Sequence, residues 1–140
     1  MKESRWDIPA RRPNFKRDLE FGHIGEEVVK TFLKDLLKGS IEVKSDRYRN
    51  GKMVVETEQN PRQHGWIPSG VMVTEAKWWV YIFTMNHGLV IVSTERLKHF
   101  ISTLPAKRLT NFAKNSSNPS RGYLLPPEEV MLLLASEEYD

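Results

Sequence analysis

The stretch Glu42–Gln59, with the sequence EVKSDRYRNGKMVVETEQ, decides how this chain folds. Residues 40–46 and 53–59 alternate with the two-residue period of β-strands, and Asn50 with Gly51 is a turn signal between them. We therefore predict a β-hairpin with one charged face and one apolar face. The positions expected to face the core are Ile41, Val43 and Val55.

The length of the turn determines where the acidic side chains point. A two-residue turn places the acidic residues of the two strands on opposite faces of the sheet. A three-residue turn, with Gly51 in a left-handed conformation, places Asp46 opposite Glu56 and Lys44 opposite Glu58. Carboxylates paired about 5 Å apart repel each other unless a cation lies between them.

The second register predicts a metal site, because Mg²⁺ is commonly held by one or two carboxylates with waters completing its shell. It also predicts that Asp46→Asn stabilises the fold without the ion, by relieving repulsion. The plainer alternative is a solvated sheet face on which Lys44 forms a cross-strand pair with Glu58.

The remaining elements follow from periodicity and from Gly and Pro positions. Apolar residues at three- and four-residue steps predict a helix over 19–37, with Gly39 as its stop. Further on we predict a helical turn at 71–77, strands at 78–85 and 89–94, a helix at 95–104, a loop at 106–122 and a terminal helix at 126–136. This order is typical of an α/β fold with a mixed sheet flanked by helices.

Composition limits the classes of protein that need consideration. A chain of 140 residues is about the size of one domain. The absence of cysteine excludes disulfides, thiolate metal sites and a cysteine nucleophile, and it suits a reducing cytoplasm. No apolar run approaches the roughly 18 residues that span a bilayer, so we expect a cytoplasmic protein without a membrane partner. The four histidines lack metal-ligand spacing.

Basic residues gather near the chain ends, although the net charge is only +3. We predict a basic arm at residues 1–18 and a single domain at 19–140. Such an arm can neutralise nucleic-acid phosphates or simply stay solvated. Ser69, at the entry of a helical turn, is a second phosphate-binding candidate or an ordinary cap. The predicted nucleic-acid contacts are Arg11, Arg12, Lys16, Arg17, Ser69 and Lys77.

The first helix contributes one further carboxylate. At 100° per residue, Glu26 falls at the border of the apolar stripe and Glu27 on the polar side. We predict that Glu26 is half-buried and faces the sheet. The alternative is a surface pair between Glu26 and Lys30.

The motifs GHIGEEVVKTFL, IEVKSD, MVVETE and PSGVMVTEAKWWVYI occur in this order over about residues 19–104. They resemble the core of the PD-(D/E)xK nuclease superfamily, particularly small phage-encoded members related to Holliday-junction-resolvase-type endonucleases. The resemblance implies a restriction-endonuclease-like fold with an αβββαβ core, and metal-dependent hydrolysis of DNA. It implies that Asp46 and Glu56 bind Mg²⁺ or Mn²⁺ and that Glu26 assists. Members that cut both strands of a junction often act as two subunits, so a homodimer is one implied arrangement.

One position departs from the superfamily pattern. Lysine is expected two residues after Glu56, but Glu58 stands there. We favour Lys44 as the replacement, while Glu58 acting as the base, or Lys77, are alternatives. Without a working substitute, the chain would be a catalytically inactive nucleic-acid-binding or assembly protein on the same fold.

Overall fold

The computed structural model describes residues 15–85 and 87–137. Three helices and two sheets make the chain a mixed α/β protein, which confirms the predicted fold class. The elements are α1 (Phe15–Leu37), β1 (Ile41–Ser45), β2 (Met53–Gln59), β3 (Ile67–Pro68), β4 (Trp78–Phe83), β5 (Gly88–Ser93), α2 (Thr94–Ser102), β6 (Thr110–Phe112), β7 (Ser120–Leu125) and α3 (Pro127–Ala135). Arg11 and Arg12 lie outside the described residues. None of the described helices has both the length and the apolar character needed to cross a bilayer.

The chain divides into two compact units, Met1–Lys34 and Asp35–Asp140. Helix α1 begins at Phe15, earlier than the predicted start at residue 19. Gly39 stops the helix as predicted, because this glycine has a φ of 74°, in the left-handed region. The N–H of Gly39 donates to the carbonyl of Leu36 at 3.0 Å and that of Ser40 to Asp35 at 2.8 Å. These two bonds form a Schellman motif, which stops the helix.

The predicted hairpin between β1 and β2 is wrong. Strand β1 runs parallel to β4 in a sheet of order β1-β4-β5, and β2 belongs to a second sheet of order β3-β2-β7-β6. The Asn50-Gly51 signal does make a local turn, since the Asn50 carboxamide accepts a bond from the N–H of Lys52 at 3.1 Å. However, Arg49 also has a positive φ, of 50°. The segment between β1 and β2 is therefore longer than a hairpin turn, and it leads the chain from the first sheet into the second.

The predicted loop at 106–122 is also wrong, because it contains β6 and the first residues of β7. Strand β7 is the central neighbour of β2, and Gly122 pairs with Glu56. A Cβ atom on Gly122 would lie 2.0 Å from the carbonyl oxygen of Val55. Only glycine permits this close approach of two backbones. The surrounding Asn and Ser residues hide the strand signal in the sequence.

One hydrophobic core unites both sheets with α2 and α3. Its members are Met53, Val55, Val71, Trp79, Tyr81, Val90, Val92, Leu97, Phe100, Ile101, Leu125, Val130 and Leu133. The prediction for Val55 is confirmed, whereas Val43 is 49% exposed and is not a core residue. Along β1 the charged Glu42 and Lys44 are less exposed than Val43. The charged face of β1 is therefore only the less exposed of two partly exposed faces, with side-chain exposures of 38% for Glu42 and 43% for Lys44.

Candidate functional site

A cleft of about 260 Å³ lies between the two sheets of Asp35–Asp140. It is lined by Lys44, Ser45, Arg47, Tyr48, Val54, Glu56, Trp79, Tyr81, Phe112 and Ser120. Strands β1 and β4 form one side, and β2, β6 and β7 form the other. The cleft therefore combines two cations and one carboxylate with aromatic walls, which is a suitable environment for a polar, planar or phosphorylated ligand.

Lys44 enters this cleft from β1, where its backbone partner is Tyr81 on β4. Its ammonium lies 3.0 Å from a carboxylate oxygen of Glu42 and 5.8 Å from the ring centroid of Trp79. Sequence reasoning did not select Glu42 as a site residue. The available signal was its two-residue spacing from Lys44, which places both side chains on one face of a strand.

Glu56 enters the cleft from β2. The hydroxyl of Ser69 donates a hydrogen bond to its Oε2 at 2.9 Å. The backbone of Ser69 is fixed in turn, because its N–H donates to the carbonyl of Thr57 at 2.9 Å. Ser69 was predicted to contact nucleic acid, but its observed partner is the Glu56 side chain. It therefore positions one oxygen of that carboxylate and leaves Oε1 for another partner.

Asp46 follows the end of β1 and is 6% exposed. The hydroxyl and the backbone N–H of Thr84 donate to its Oδ1 at 2.6 and 2.7 Å. These bonds, and then the charge of Arg49, hold the pKa of Asp46 below its usual value. The predicted carboxylate repulsion is therefore wrong, since neighbouring donors favour the charged form. Asp46 does not lie opposite Glu56, whose partner is Gly122.

Asp46 does not itself line the cleft, although its chain neighbours Ser45 and Arg47 both do. Burial raises the pKa of Tyr81, and the negative charge of Asp46 adds to that effect. Because Tyr81 also lines the cleft, the field of the Asp46 carboxylate extends to the cleft wall.

The two other candidates for the missing lysine's role lie elsewhere. Glu58 accepts an ion pair from Arg121 at 2.7 Å, and that guanidinium lies 4.1 Å from the ring centroid of Trp66. Glu58 lines a separate groove beside α2. The ammonium of Lys77 lies 3.9 Å from Asp35, near the start of β4. Of the three alternatives, only Lys44 lines the cleft that contains Glu56.

The predicted residues on α1 belong to the unit Met1–Lys34 and are described by themselves. The prediction that Glu26 is half-buried is wrong, because its side chain is 63% exposed and contacts Nδ1 of His23 at 3.6 Å on the helix surface. Lys30 lies 3.5 Å from Glu27 instead of pairing with Glu26. Lys16 and Arg17 are exposed. Their roles in catalysis or nucleic-acid binding stay predictions.

The described residues contain no group of three or more His, Asp or Glu side chains that could hold a metal ion. Mg²⁺ needs fewer protein ligands when a substrate phosphate and waters complete its shell. In the cleft, Glu56 offers Oε1, the oxygen that Ser69 does not use. Asp46 keeps Oδ2 free of the Thr84 bonds but does not line the cleft. One cleft carboxylate fits an ion that is bound mainly by waters and a substrate phosphate, and it does not fit a closed protein cage.

Comparisons with known proteins add no assignment. No protein-family model, no curated protein and no solved structure matches this chain.

Proposed function

We propose that this protein is a Mg²⁺-dependent DNA endonuclease whose site is the cleft between the two sheets. The observation that supports the proposal is the convergence of Lys44 and Glu56 on one cleft, from strands of different sheets. Both residues were selected from sequence on other grounds. Arg47 adds a second cation to the same cleft, as expected of a surface that binds a phosphate backbone.

Each residue has a distinct proposed role. Glu56 and Asp46 would hold Mg²⁺, which when bound supplies charge stabilisation at the phosphodiester and an activated water. Ser69 fixes the Glu56 carboxylate, and Glu42 holds the ammonium of Lys44 in place. Lys44 then binds a non-bridging phosphate oxygen and stabilises the negative charge that develops there.

The competing function is a nucleic-acid-binding or assembly protein that uses the same cleft without hydrolysis. Two observations favour it: Asp46 already accepts two bonds from Thr84, and the described residues form no three-ligand cluster. The endonuclease and the nucleic-acid-binding alternative both require a phosphate in the cleft, whereas an assembly protein does not. Only the endonuclease requires a divalent ion.

The decisive experiment is nicking of supercoiled plasmid DNA in Mg²⁺, Mn²⁺ or EDTA. We expect ion-dependent nicking by the wild type. Lys44→Ala and Glu56→Gln should each lower the rate by about 100-fold or more, the usual effect of removing one transition-state contact. The matched control is Lys38→Ala, an exposed lysine just after α1, which should nick like the wild type.

Two results would contradict the proposal. One is a wild-type protein that binds DNA and never nicks it with either ion, which selects the binding protein. The other is full activity in Lys44→Ala. A homodimer is proposed for any cleavage of both strands, and light scattering during gel filtration measures it.

A further inference from the structure

The indole of Trp79 lies beneath the ammonium of Lys44 at the cleft. Trp79 is 1% exposed and lines the cleft, and the Lys44 ammonium lies 5.8 Å from its ring centroid. The Nε1–H of Trp79 has no hydrogen-bond partner among the described residues, but it is closed to solvent, so a ligand in the cleft does not reach it. The charged groups that a ligand can reach from the cleft include those of the partly exposed Lys44 and of Arg47.

The cleft also contains an aromatic ring that is not part of the core. Tyr48 is 49% exposed and follows Arg47 in the segment after β1. The other aromatic side chains of the cleft, Trp79, Tyr81 and Phe112, are buried. Tyr48 is therefore the aromatic side chain of the cleft that can receive an incoming planar group, and every nucleobase has such a face.

The size of the cleft limits what can enter. A volume of about 260 Å³ is below the roughly 300–1,000 Å³ of pockets that hold drug-sized ligands. A single base or phosphate group fits such a space. A base in a duplex would have to leave its stack first, which costs unpairing and unstacking energy.

We infer that the cleft takes one unpaired nucleotide, with its base against Tyr48 and its phosphate beside Lys44 and Arg47. Lys44 and Arg47 balance the phosphate charge. This inference rests on the proposed function for the choice of DNA, and it narrows the substrate to single-stranded or locally unpaired DNA.

The test measures binding by fluorescence anisotropy in EDTA, so that no cleavage takes place. The probes are labelled oligothymidylate, a blunt duplex of the same length and oligouridylate. We expect oligothymidylate to bind more tightly than the duplex. Tyr48→Ala should weaken that binding roughly 5- to 100-fold, the range for loss of one base-stacking contact. Tyr48→Phe, which keeps the ring, should bind like the wild type.

A distant variant shows whether the effect is specific to the cleft. Met131→Ala, an exposed apolar truncation on α3, is the control and should bind normally.

The inference is overturned if the duplex binds as tightly as the single strand, or if Tyr48→Ala binds like the wild type. Oligouridylate bound as tightly as oligothymidylate supports recognition of an unpaired nucleotide without regard to the sugar. Tyr48-dependent binding without ion-dependent nicking keeps this inference and refutes the endonuclease. If the wild type and Tyr48→Ala nick duplex DNA at the same rate, the endonuclease is supported and this inference is refuted.

Discussion

Replacing Gly122 with alanine tests the strand pairing that brings Glu56 to the cleft. In the structure the added Cβ would lie 2.0 Å from the carbonyl oxygen of Val55 and 2.8 Å from the Cα of Glu56. Comfortable contacts between carbon atoms are about 3.5–4.0 Å. Strands β2 and β7 would have to separate by about 1 Å or more, and both obstructing atoms belong to the backbone, which cannot rotate away. Overpacking of this kind costs about 1–3 kcal/mol of the free energy of unfolding.

For a domain of this size, each kcal/mol lowers the melting temperature by about 3–5 °C, so we expect a fall of about 3–15 °C. Thermal unfolding followed by circular dichroism measures it. The control is Gly88→Ala at the start of β5, where an added Cβ meets no atom within 4 Å. If β2 paired with β1 as the sequence suggested, Gly122 would lie in a loop and would tolerate alanine. Equal melting temperatures for the two variants would therefore refute the observed pairing.

Four other variants test the site residues. Asp46→Asn should lower the melting temperature, because the anionic acceptor for Thr84 is lost. Since its folded-state pKa lies below the usual 3.8, the stabilisation by Asp46 is present above that pH and disappears as the pH falls through the lowered pKa. Melting curves across this acid range should show less pH dependence in Thr84→Val, and an unchanged profile would contradict the assignment. Glu58→Gln should keep full nicking and cost up to about 1 kcal/mol in urea unfolding, as expected for a half-exposed ion pair; loss of nicking would restore Glu58 as the base. Ser69→Ala should slow nicking and cost about 1–2 kcal/mol, and an unaffected rate would show that the Ser69 bond to Glu56 has no role.

The sequence predicted those elements whose signal is local. The spans of α1, β1, β2 and β4 follow from periodicity and apolar runs, and α2 begins within a residue of its predicted start. The pairing of the strands could not be predicted in the same way. A two-residue period shows which residues of a strand share a face, but it carries no information on which other strand lies beside it. The ladder of β1 is completed by β4, far along the chain, and this was not visible in the stretch around Asn50.

The site was predicted for a reason that proved partly wrong. The hairpin was supposed to bring Asp46 and Glu56 together, whereas the structure brings Glu56 to Lys44 across a cleft between sheets. Lys44 and Glu56 still meet at this cleft, whereas Glu58 lines a separate groove and Val43, predicted to face the core, is half-exposed. Alternation therefore selected two residues of the cleft but did not predict the core face of β1. Trp79 and Tyr48 could not be chosen, since neither burial nor a missing hydrogen-bond partner can be read from sequence.

Strand β1 also violates the ordinary rule that the apolar face is the covered one. Burying Val43 in place of Lys44 would gain about 1.5 kcal/mol or more from apolar transfer. The structure instead leaves Val43 49% exposed, while the side chains of Glu42 and Lys44 are 38% and 43% exposed, so the charged face is covered slightly better. Local preferences that conflict with the fold in this way are expected at functional sites. Lys44, whose side chain stays 43% exposed beside Glu42 and the Trp79 ring, keeps a cation at the cleft, where the proposed function requires one to meet a phosphate.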